Sequence, residues 1–463
     1  MRAGDEITIT PTELVAGGAA LAKIDGFPIF ATGVYPGDVA VVRLLQVKKG
    51  FARADLVRIV EPGPLRRLVP CPVANECGGC DWTALRLDKQ LEAKVRILTE
   101  SLRRIGKIDP ATLPTIAIHP SPLNYRLRSR LHRDGEKIGF YAMGTNDVVP
   151  LPVECEVVGV RTRENPREGE TWEVDGKLIA GGELTIDGYY VTTDAFFQVN
   201  RHMLGTMRDL VTGLAARVSG VGGGESEDDA SAGESGVGGR GSESASAGES
   251  GSADRQSVGD SRRIKSSEAA SAGESGVGGG GSESAVAGVS GVRSRESEGA
   301  DLQSVGHSRT IESSDPRPPT PDPRKTAIDL YSGVGFFSRP LAALFGSVTA
   351  VEGAEAAHEC AKRNVPDNVT LVHAPVEWWV ERMPRADFVF LDPPRSGAMR
   401  NVIDAIATRA NEMICFLACD PVTFARDASR LIASGWRLAS LDLLDLFPNT
   451  HHVETLASFE RAK

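Results

Sequence analysis

Alternating apolar and polar residues mark the N-terminal segment of this 463-residue chain. Residues 4–60 hold several short runs of this kind, separated by Gly, Pro and Asp, and VYPGDVAVVRLL is the clearest of them. Alternation with a period of two puts one face of a strand into a core and the other into solvent. Roughly five such strands in so short a segment predict a small, OB-like β-barrel over residues 1–65.

Apolar residues take helical spacing over 83–106, with Thr83 as the candidate cap and Gly106 as the stop. The repeat falls on Leu87, Leu91, Val95, Leu98, Leu102 and Ile105. Residues three and four apart share one face of a helix, so this spacing predicts an amphipathic helix.

Strand patterns flank this helix at 66–82 and over 107–190, and they predict a β-rich central domain. Arg126, Arg128 and Arg130 alternate along one of these strands, which would place all three guanidinium groups on one face. That face is a candidate surface for an anionic partner.

From residue 326 onward, buried strands and helices alternate. ADFVFLDPPRSG and MICFLACDP contain continuous apolar runs, which are typical of strands buried on both faces. Regular alternation of strand and helix predicts a doubly wound, largely parallel α/β sheet over 191–218 and 326–463. The last strands are expected to form an antiparallel hairpin.

Residues 219–325 differ in composition from both flanks, because Gly, Ser, Ala and Glu dominate them. The segment ASAGESGVGGRGSESA at 230–245 recurs almost unchanged at 270–285, without periodic apolar positions. A chain with so few large apolar residues does not offset its own ordering entropy. We therefore predict a disordered, duplicated low-complexity insert here.

The net charge of −10 argues at first against a polyanionic partner. The predicted insert, however, holds 18 acidic and 11 basic residues, a net charge of −7, which leaves −3 for the rest. Residues 86–137 carry 12 Lys and Arg against 6 Asp and Glu. This local excess fits either a solvated helix face or an anionic partner such as nucleic acid.

The sequence has no run of 18 apolar residues, and its first residues, MRAGDEITIT, lack an apolar signal core. We therefore expect a soluble, cytoplasmic protein without a membrane partner. Thiols stay reduced in the cytoplasm, so the seven cysteines need a role other than disulfide bonding.

Three cysteines lie within ten residues, at Cys71, Cys77 and Cys80, and Cys155 follows far along the chain. Four thiolates on a glycine-containing loop suit either a tetrahedral Zn²⁺ or an iron–sulfur cluster. The spacing alone leaves both possibilities open. Cys360 and Cys415 lie inside predicted helix and strand, where a thiol packs as a small apolar group.

The segment DLYSGVGFF (329–337) predicts a strand, a glycine-rich turn and the start of a helix. Gly333 and Gly335 would let a ligand approach the backbone closely, and Glu352 ends the next strand, where a carboxylate accepts hydrogen bonds from ribose hydroxyls. A nicotinamide cofactor would use a similar site. The absence of a complete G-x-G-x-x-G phosphate turn favours S-adenosylmethionine, which has no phosphates.

Two further motifs end the next strands: LDPPRSG, with Asp392, and ACDP, with Cys419. A thiolate is a soft nucleophile suited to conjugate addition. Addition at C6 of uracil makes C5 nucleophilic enough to accept a methyl group, and a base must then remove the C5 proton. Glu454 is the first candidate for that base, with His451 and His452 as alternatives.

These motifs, together with FFQVN and FPNTHHVET, follow the order found in bacterial RNA uracil-5-methyltransferases, and the chain resembles that family over nearly its whole length outside 219–325. The N-terminal segment is similar to the TRAM domain of many members. The resemblance implies a [4Fe–4S] cluster on the four cysteines, Cys419 as nucleophile and Glu454 as proton acceptor. It assigns contacts to S-adenosylmethionine or the adjoining base to Gln198, Tyr331, Gly333, Gly335, Phe336, Glu352 and Asp392. It also implies that helix 83–106 packs on the catalytic domain.

RNA is the partner that the resemblance implies, with Arg126, Arg128 and Arg130 on phosphates and flanking bases of a flipped uridine. Ribosomal RNA is favoured over transfer RNA, and a monomer is expected. The family's usual Ser-Cys-Asn-Pro reads Ala-Cys-Asp-Pro here, and Asp420 would raise the pKa of the neighbouring thiol. The alternatives are an exocyclic-amine methyltransferase and an RNA-binding or redox-sensing protein that has kept the fold and lost catalysis.

Overall fold

The computed structural model describes residues 1–152, 155–158, 171–174, 177–179, 182–221 and 322–462. The predicted insert lies almost wholly outside these residues. Its two described ends belong to regular structure, since a helix runs through Ser219 and a strand starts at Asp322. The predicted boundary at 325 is therefore wrong, because backbone pairing of Asp322 with Phe345 extends the strand into polar, proline-containing sequence.

The N-terminal segment forms a six-stranded sheet in the order β1-β5-β6-β4-β3-β2. Its strands are β1 (Glu6–Ile9), β2 (Glu13–Leu14), β3 (Ala20–Ile24), β4 (Phe27–Thr32), β5 (Val39–Val47) and β6 (Ala52–Glu61). All neighbours run antiparallel except β4 and β6, which are parallel. Alternate residues of β5, such as Ala40, Val42 and Leu44, are buried, as the sequence pattern requires.

The helix predicted at 83–106 is α1 (Leu87–Arg104). The predicted start at Thr83 is wrong, because the residues before Leu87 pair with an extended segment instead. Arg67 donates its backbone N–H to the Ala84 carbonyl at 2.8 Å, and Arg86 donates to Leu65 at 3.0 Å. These bonds hold the chain extended up to the first helical turn.

The central region forms short strands. They are β7 (Ile116–His119), β8 (Arg128–Asp134), β9 (Lys137–Tyr141), β10 (Val148–Pro150), β11 (Thr171–Val174), β12 (Lys177–Ile179), β13 (Glu183–Ile186) and β14 (Tyr189–Thr192). A 3₁₀ turn at Pro110–Thr112 precedes β7. Strands β8 to β12 make one sheet in the order β10-β9-β8-β11-β12, and β13 with β14 forms a hairpin.

The C-terminal region contributes most of an eight-stranded sheet. Its elements are α2 (Leu204–Ser219), β15 (Asp322–Leu330), α3 (Ser338–Leu341), β16 (Phe345–Glu352), α4 (Glu355–Asn364), β17 (Val369–His373), α5 (Val376–Trp379), a 3₁₀ turn (Val380–Arg382), β18 (Ala386–Leu391), α6 (Arg400–Arg409), β19 (Ala410–Ala418), α7 (Pro421–Ala433), β20 (Trp436–Leu444) and β21 (Glu454–Arg461). Helix α1 packs against α7, on one face of this sheet.

The large sheet has the order β17-β16-β15-β18-β19-β21-β20-β7. Its first five strands are parallel, and β21 runs antiparallel to both β19 and β20. Residues of β15 point into two separate apolar cores, Ile328 into one and Ala327 into the other. The sheet is therefore buried on both faces. Because its first five strands are parallel, their carboxyl ends lie at the same edge of the sheet.

Strand β7 differs from the prediction, which placed residues 107–190 in the central region. It pairs in parallel with β20, Leu441 facing Ile116, and forms the edge of the large sheet. A pairing between strands more than 300 residues apart leaves no trace in local periodicity, so the sequence could not reveal it. Among the described residues, no helix is both long and apolar enough to span a lipid bilayer.

Candidate active site

The glycine-rich turn after β15 is built around three residues with positive φ. Tyr331, Gly333 and Gly335 have φ of 61°, 56° and 85°. A Cβ at Gly335 would lie 2.6 Å from Val365 Cγ1, so this glycine permits the close packing of the turn on α4. At Gly333 a Cβ would meet no described atom within 4 Å, so its backbone faces open space where a ligand can approach.

Glu352 ends β16 and holds this turn in place. Its carboxylate accepts hydrogen bonds from the backbone N–H of Gly333 at 2.8 Å and of Ala354 at 2.6 Å. Tyr331 donates its hydroxyl to Glu377 Oε1 at 2.8 Å. A half-buried carboxylate fixed in this way can accept hydrogen bonds from a diol without first reorganising.

Two acids at the ends of neighbouring strands have strongly raised pKa values. Asp329, near the end of β15, is fully buried; burial raises its pKa to about 7, although Ser338 donates a hydrogen bond to it. Burial, with the charges of Asp329 and Glu352, raises the pKa of Asp392 to about 8. Gln198 Nε2 lies 3.5 Å from Asp392 Oδ2, which joins the segment before α2 to this edge.

Cys419 and Glu454 are brought together by strand pairing. Ala418, the last residue of β19, pairs with Thr455 of antiparallel β21, so Cys419 follows at the strand end directly opposite Glu454. Burial, then the charges of Glu454 and Asp392, raises the pKa of the half-buried Cys419 thiol to about 12, while Arg395 acts to lower it. Burial also raises the pKa of Glu454 well above its usual range.

Asp420 does not act as the sequence suggested. Its side chain caps α7, accepting hydrogen bonds from the backbone N–H of Val422 at 3.0 Å and Thr423 at 2.7 Å. The carboxylates that raise the pKa of Cys419 are Glu454 and Asp392 instead. Asp and Asn serve equally well as N-caps, so Asp420 can replace the Asn of the usual Ser-Cys-Asn-Pro motif without loss of the cap.

The two histidines before Glu454 have separate partners. His451 Nδ1 is hydrogen-bonded to Asp81, and His452 Nε2 lies 3.1 Å from Arg395 Nη2. Burial, with the charges of His451 and Arg395, lowers the pKa of His452 to about 3. A neutral imidazole that accepts a hydrogen bond from Arg395 is a weak base.

The four cysteines of the sequence motif line a single cavity. Cys71, Cys77, Cys80 and Cys155 surround it, together with Phe140 and Asn449 among others. Burial raises the pKa of Cys77, and it raises that of Cys80 to about 12, with Cys155 adding to both shifts and Arg126 opposing them. Among the described residues, no group of three or more His, Cys, Asp or Glu is arranged to hold a metal ion.

The residues at the sheet edge match a known family. The family of tRNA (Uracil-5-)-methyltransferases matches residues 381–462, which include Asp392, Cys419 and Glu454. A protein of Corynebacterium efficiens named as an RNA methyltransferase is 30% identical over 99% of this chain and 95% of its own length. The chain belongs to the RNA uracil-5-methyltransferase family.

Other members agree with this assignment. The 23S rRNA (uracil(1939)-C(5))-methyltransferase RlmD of Alkalilimnicola ehrlichii is 28% identical, over 98% of this chain and 96% of its own length. The crystal structure of Pyrococcus abyssi tRNA (uracil-54, C5)-methyltransferase in complex with S-adenosyl-L-homocysteine has the same fold, with a TM-score of 0.57 at 18% identity. It covers 98% of this chain and 99% of its own. The predicted mixed α/β fold and the family resemblance are thereby confirmed.

Not every residue expected from this methyltransferase family lies where the sequence placed it. Phe336 is 5% exposed, and its ring packs against Tyr189, Phe197 and Phe337. A contact of its side chain with a ligand in the cleft is therefore not supported, because the ring is part of the second apolar core. The ligand contact of Phe336 was expected only from the resemblance to the methyltransferase family.

The predicted arginine face is also wrong. Strand β8 begins at Arg128, so Arg126 lies before it, and Arg128 is 5% exposed. The Arg128 guanidinium donates to the backbone carbonyls of Thr192 and Ala195 and so stabilises the protein internally. Arg126 lies over the Phe140 ring at 5.4 Å, beside the cysteine cavity, and Arg130 is exposed.

The structure adds residues that the sequence analysis did not single out. Arg395, of the DPPR segment, and Asp81, next to Cys80, both contact the histidine pair. Arg395 stood within a quoted motif, but Asp81 carried no recognisable pattern. Cys360 and Cys415 are buried in the second apolar core, as predicted.

Proposed function

We propose that this chain methylates C5 of a uridine in RNA through a covalent bond between Cys419 and C6. The observation that carries the proposal is the strand pairing that sets Cys419 opposite Glu454, with Asp392 close enough to influence the pKa of both. A thiol and a buried carboxyl group on neighbouring strand ends suit a reaction in which the thiol adds to C6 and the carboxylate then removes the proton from C5.

In this mechanism Cys419 gives its proton to solvent, and the thiolate adds to C6, which places negative charge on the C5 side of the ring. S-adenosylmethionine, when bound, would supply the methyl group that C5 takes up and leave as S-adenosylhomocysteine. The Glu454 carboxylate then accepts the C5 proton, and the C6–S bond breaks to restore the uracil ring and the thiolate. Arg395, whose charge opposes the raised pKa of both groups, stabilises their ionised forms during the reaction.

The methyl donor would be held by the glycine-rich turn and the acids around it. Gly333 leaves space for close approach, and Glu352 is oriented to accept hydrogen bonds from ribose hydroxyls. Asp329 Oδ1 is buried without a hydrogen-bond partner among the described residues, which favours a donor group on a ligand at this place. Tyr331, Gly335, Gln198 and Asp392 complete the proposed site.

The four thiols that line the cysteine cavity match the donors of a [4Fe–4S] cluster in kind and number, although among the described residues no three of them are arranged to hold a metal ion. Cys71, Cys77, Cys80 and Cys155 would hold it. Burial raises the pKa of Cys77 and Cys80, so loading of a cluster on these two thiols must release protons. We propose that the cluster stabilises the central region, because methyl transfer requires no net electron transfer.

We further propose that the N-terminal sheet is a TRAM-like RNA-binding domain and that the substrate is ribosomal RNA, as for the Alkalilimnicola relative. Transfer RNA is the second candidate, because the family model that matches residues 381–462 is named for tRNA (Uracil-5-)-methyltransferases. The catalytically inactive alternative loses its main support, because Asp420 acts as a helix cap.

The test is a covalent trap. The full chain is incubated with methyl-labelled S-adenosylmethionine and in vitro transcribed 23S rRNA or total tRNA, in uridine and 5-fluorouridine forms. We expect 5-methyluridine in the normal RNA, and with 5-fluorouridine RNA an adduct whose peptide contains Cys419. Cys419→Ala should give neither, whereas Cys415→Ala, from the same strand, should give both. Methylation of uracil C5 by Cys419→Ala would refute the covalent role.

A further inference from the structure

The loop between β20 and β21 carries the residues that lead to Glu454, and its conformation is fixed from outside the large sheet. His451 is held by Asp81, which bonds its Nδ1 atom and accepts from its backbone N–H at 3.1 Å. Asp81 belongs to the segment before α1, not to the catalytic region. The position of the loop therefore depends on what holds Asp81.

The N-terminal sheet reaches this pair through the turn between β2 and β3. Gly18 accepts a hydrogen bond at its carbonyl from Trp82 Nε1 at 3.0 Å, and Tyr35 donates its hydroxyl to the Asp81 carbonyl at 3.3 Å. A Cβ at Gly18 would lie 2.6 Å from Asp81 Oδ2 and 2.9 Å from the His451 ring. No real Cβ atom tolerates such distances, so the absence of a side chain at Gly18 permits this contact.

From His451 a short chain of contacts leads to the reacting groups. The His451 and His452 rings are 4.4 Å apart between centroids, and His452 Nε2 lies 3.1 Å from Arg395 Nη2. Arg395 is the cation whose charge acts on both Cys419 and Glu454. We therefore expect that a displacement of His451 shifts His452, and with it the hydrogen bond between His452 and Arg395.

We propose that Gly18 is a positioning residue, through which the N-terminal sheet seats the Asp81–His451 pair and so fixes the loop that presents His452 and Glu454. The N-terminal sheet then contributes to the chemical step as well as to any RNA binding. The inference rests on the proposed function where methyl transfer is the readout, and the experiment below includes a readout that does not.

Gly17 provides a matched control. It has the same φ of 86° as Gly18, but a Cβ there would meet no described atom within 4 Å. Gly17→Ala and Gly18→Ala therefore impose the same backbone strain, and only the second disturbs Asp81 and His451. Any difference between the two variants reports the contact and not the strain.

The first measurement is steady-state methylation of the RNA substrate by the full chain. We expect Gly18→Ala to lower kcat by about ten- to a hundredfold, since misplacing catalytic groups by about 1 Å has effects of that size. KM should change little, and Gly17→Ala should stay within about twofold of the parent in kcat. The thermal midpoint should fall in both variants, and further in Gly18→Ala, where the steric conflict adds to the backbone strain.

The second measurement needs no RNA. In the ¹⁵N-histidine-labelled full chain, the His451 ring signals are identified by their loss in His451→Gln. They should shift in Gly18→Ala and stay in place in Gly17→Ala. In a His451→Ala background, the further loss of kcat from Gly18→Ala should shrink to about threefold or less, because part of the steric conflict has been removed.

Equal kcat values for Gly17→Ala and Gly18→Ala, or unmoved His451 signals in Gly18→Ala, would overturn the proposal. If the parent chain methylates no RNA, the proposed function fails by itself, and the histidine signals still decide whether Gly18 positions His451. A large rise in KM with unchanged kcat would also contradict the inference, since it would assign Gly18 to RNA binding instead.

Discussion

Two regions of this molecule contain partly buried cysteine thiols, and the groups next to the thiols differ between the two regions. Burial raises the pKa of Cys419 and of Cys80 to about 12 in both places. Around Cys419 the charges of Glu454 and Asp392 add to the shift and Arg395 opposes it, whereas around Cys80 the thiols of Cys155 and Cys77, with Asp81, add to it and Arg126 opposes it. Burial is the main cause at both thiols, and the secondary causes are mostly carboxyl groups in one place and mostly other thiols in the other.

The difference shows what each thiol is suited to. A single sulfur faced by carboxyl groups is ionised only when a proton acceptor and an electrophile are present, as a transient nucleophile requires. A group of neighbouring sulfurs suits collective ionisation by a metal, whose positive charge replaces the protons. Substitutions in each region test whether the two differ in this way.

The largest effect is expected for Cys419→Ala. Without the sulfur no bond to C6 forms, so methyl transfer should fall by at least about 10³-fold, the scale seen when a covalent nucleophile is removed. Because the thiol is half-buried at a strand end, the unfolding free energy should change by less than about 1.5 kcal/mol. Single-turnover methylation and urea unfolding measure the two quantities. A residual rate within tenfold of the parent would contradict the nucleophile assignment.

Glu454→Gln should separate the two halves of the reaction. The amide has the shape of the protonated carboxyl group but cannot take the C5 proton, so turnover should fall by about 10²- to 10⁴-fold. Addition of Cys419 to C6 remains possible, so an adduct with unmodified uridine RNA should accumulate and be visible as a shifted band on a denaturing gel. His452→Gln is the control, and it should not accumulate adduct. Turnover near that of the parent would return the proton acceptor role to a histidine.

The acidic surroundings of Cys419 should also appear in the pH profile. The pKa values of Cys419 and Glu454 are both raised, so both groups stay protonated as pH passes their ordinary range. The reactive forms are the deprotonated ones, and kcat/KM should therefore rise between pH 6 and 9, by up to about tenfold per pH unit for each of the two groups that is still protonated. Labelled methyl transfer at constant ionic strength measures it. A profile that is flat or falls over this range would mean that the free protein already holds an ionised thiol.

The cysteine cavity should respond to loss of one thiol in a different way. Cys80→Ser should abolish iron binding after anaerobic reconstitution and lower the unfolding free energy by several kcal/mol, since metal binding is coupled to folding. Iron and sulfide analysis and urea unfolding measure these effects. Cys360→Ser, in the second apolar core, should keep the iron. Equal iron content in the two variants would show that the cavity holds no cluster.

Local sequence patterns predicted those parts of the fold that local chemistry decides. The glycine turn with Glu352 and the acid and thiol at the ends of β18 and β19 follow from strand ends and from motifs. Strand β7 could not be predicted in the same way, because its partner β20 is distant in sequence. Arg128 was misplaced for a similar reason, since its burial depends on the hairpin of β13 and β14, whose carbonyls it meets.

The contact of Gly18 with the Asp81–His451 pair is also a product of tertiary packing. In the sequence, Gly17 and Gly18 are indistinguishable members of a turn, and only the folded chain separates them. The same holds for the four cysteines. Their spacing indicated a shared site, but it could not show that Asn449, in the loop between β20 and β21, also lines that site.

The smallest effect is expected at Asp420, the carboxylate that follows Cys419 directly in the chain. If charge near the thiol were decisive wherever it lay, Asp420→Asn would remove an adjacent carboxylate and speed the reaction clearly. The carboxylate is instead held by the N–H groups of Val422 and Thr423, and an amide oxygen can accept the same bonds. Asp420→Asn should therefore leave kcat within about twofold, whereas Asp420→Ala should lower the unfolding free energy by about 1 kcal/mol through loss of the cap. A tenfold gain in kcat for Asp420→Asn would show that the sequence-based concern about Asp420 was right and that the cap does not neutralise its influence on Cys419.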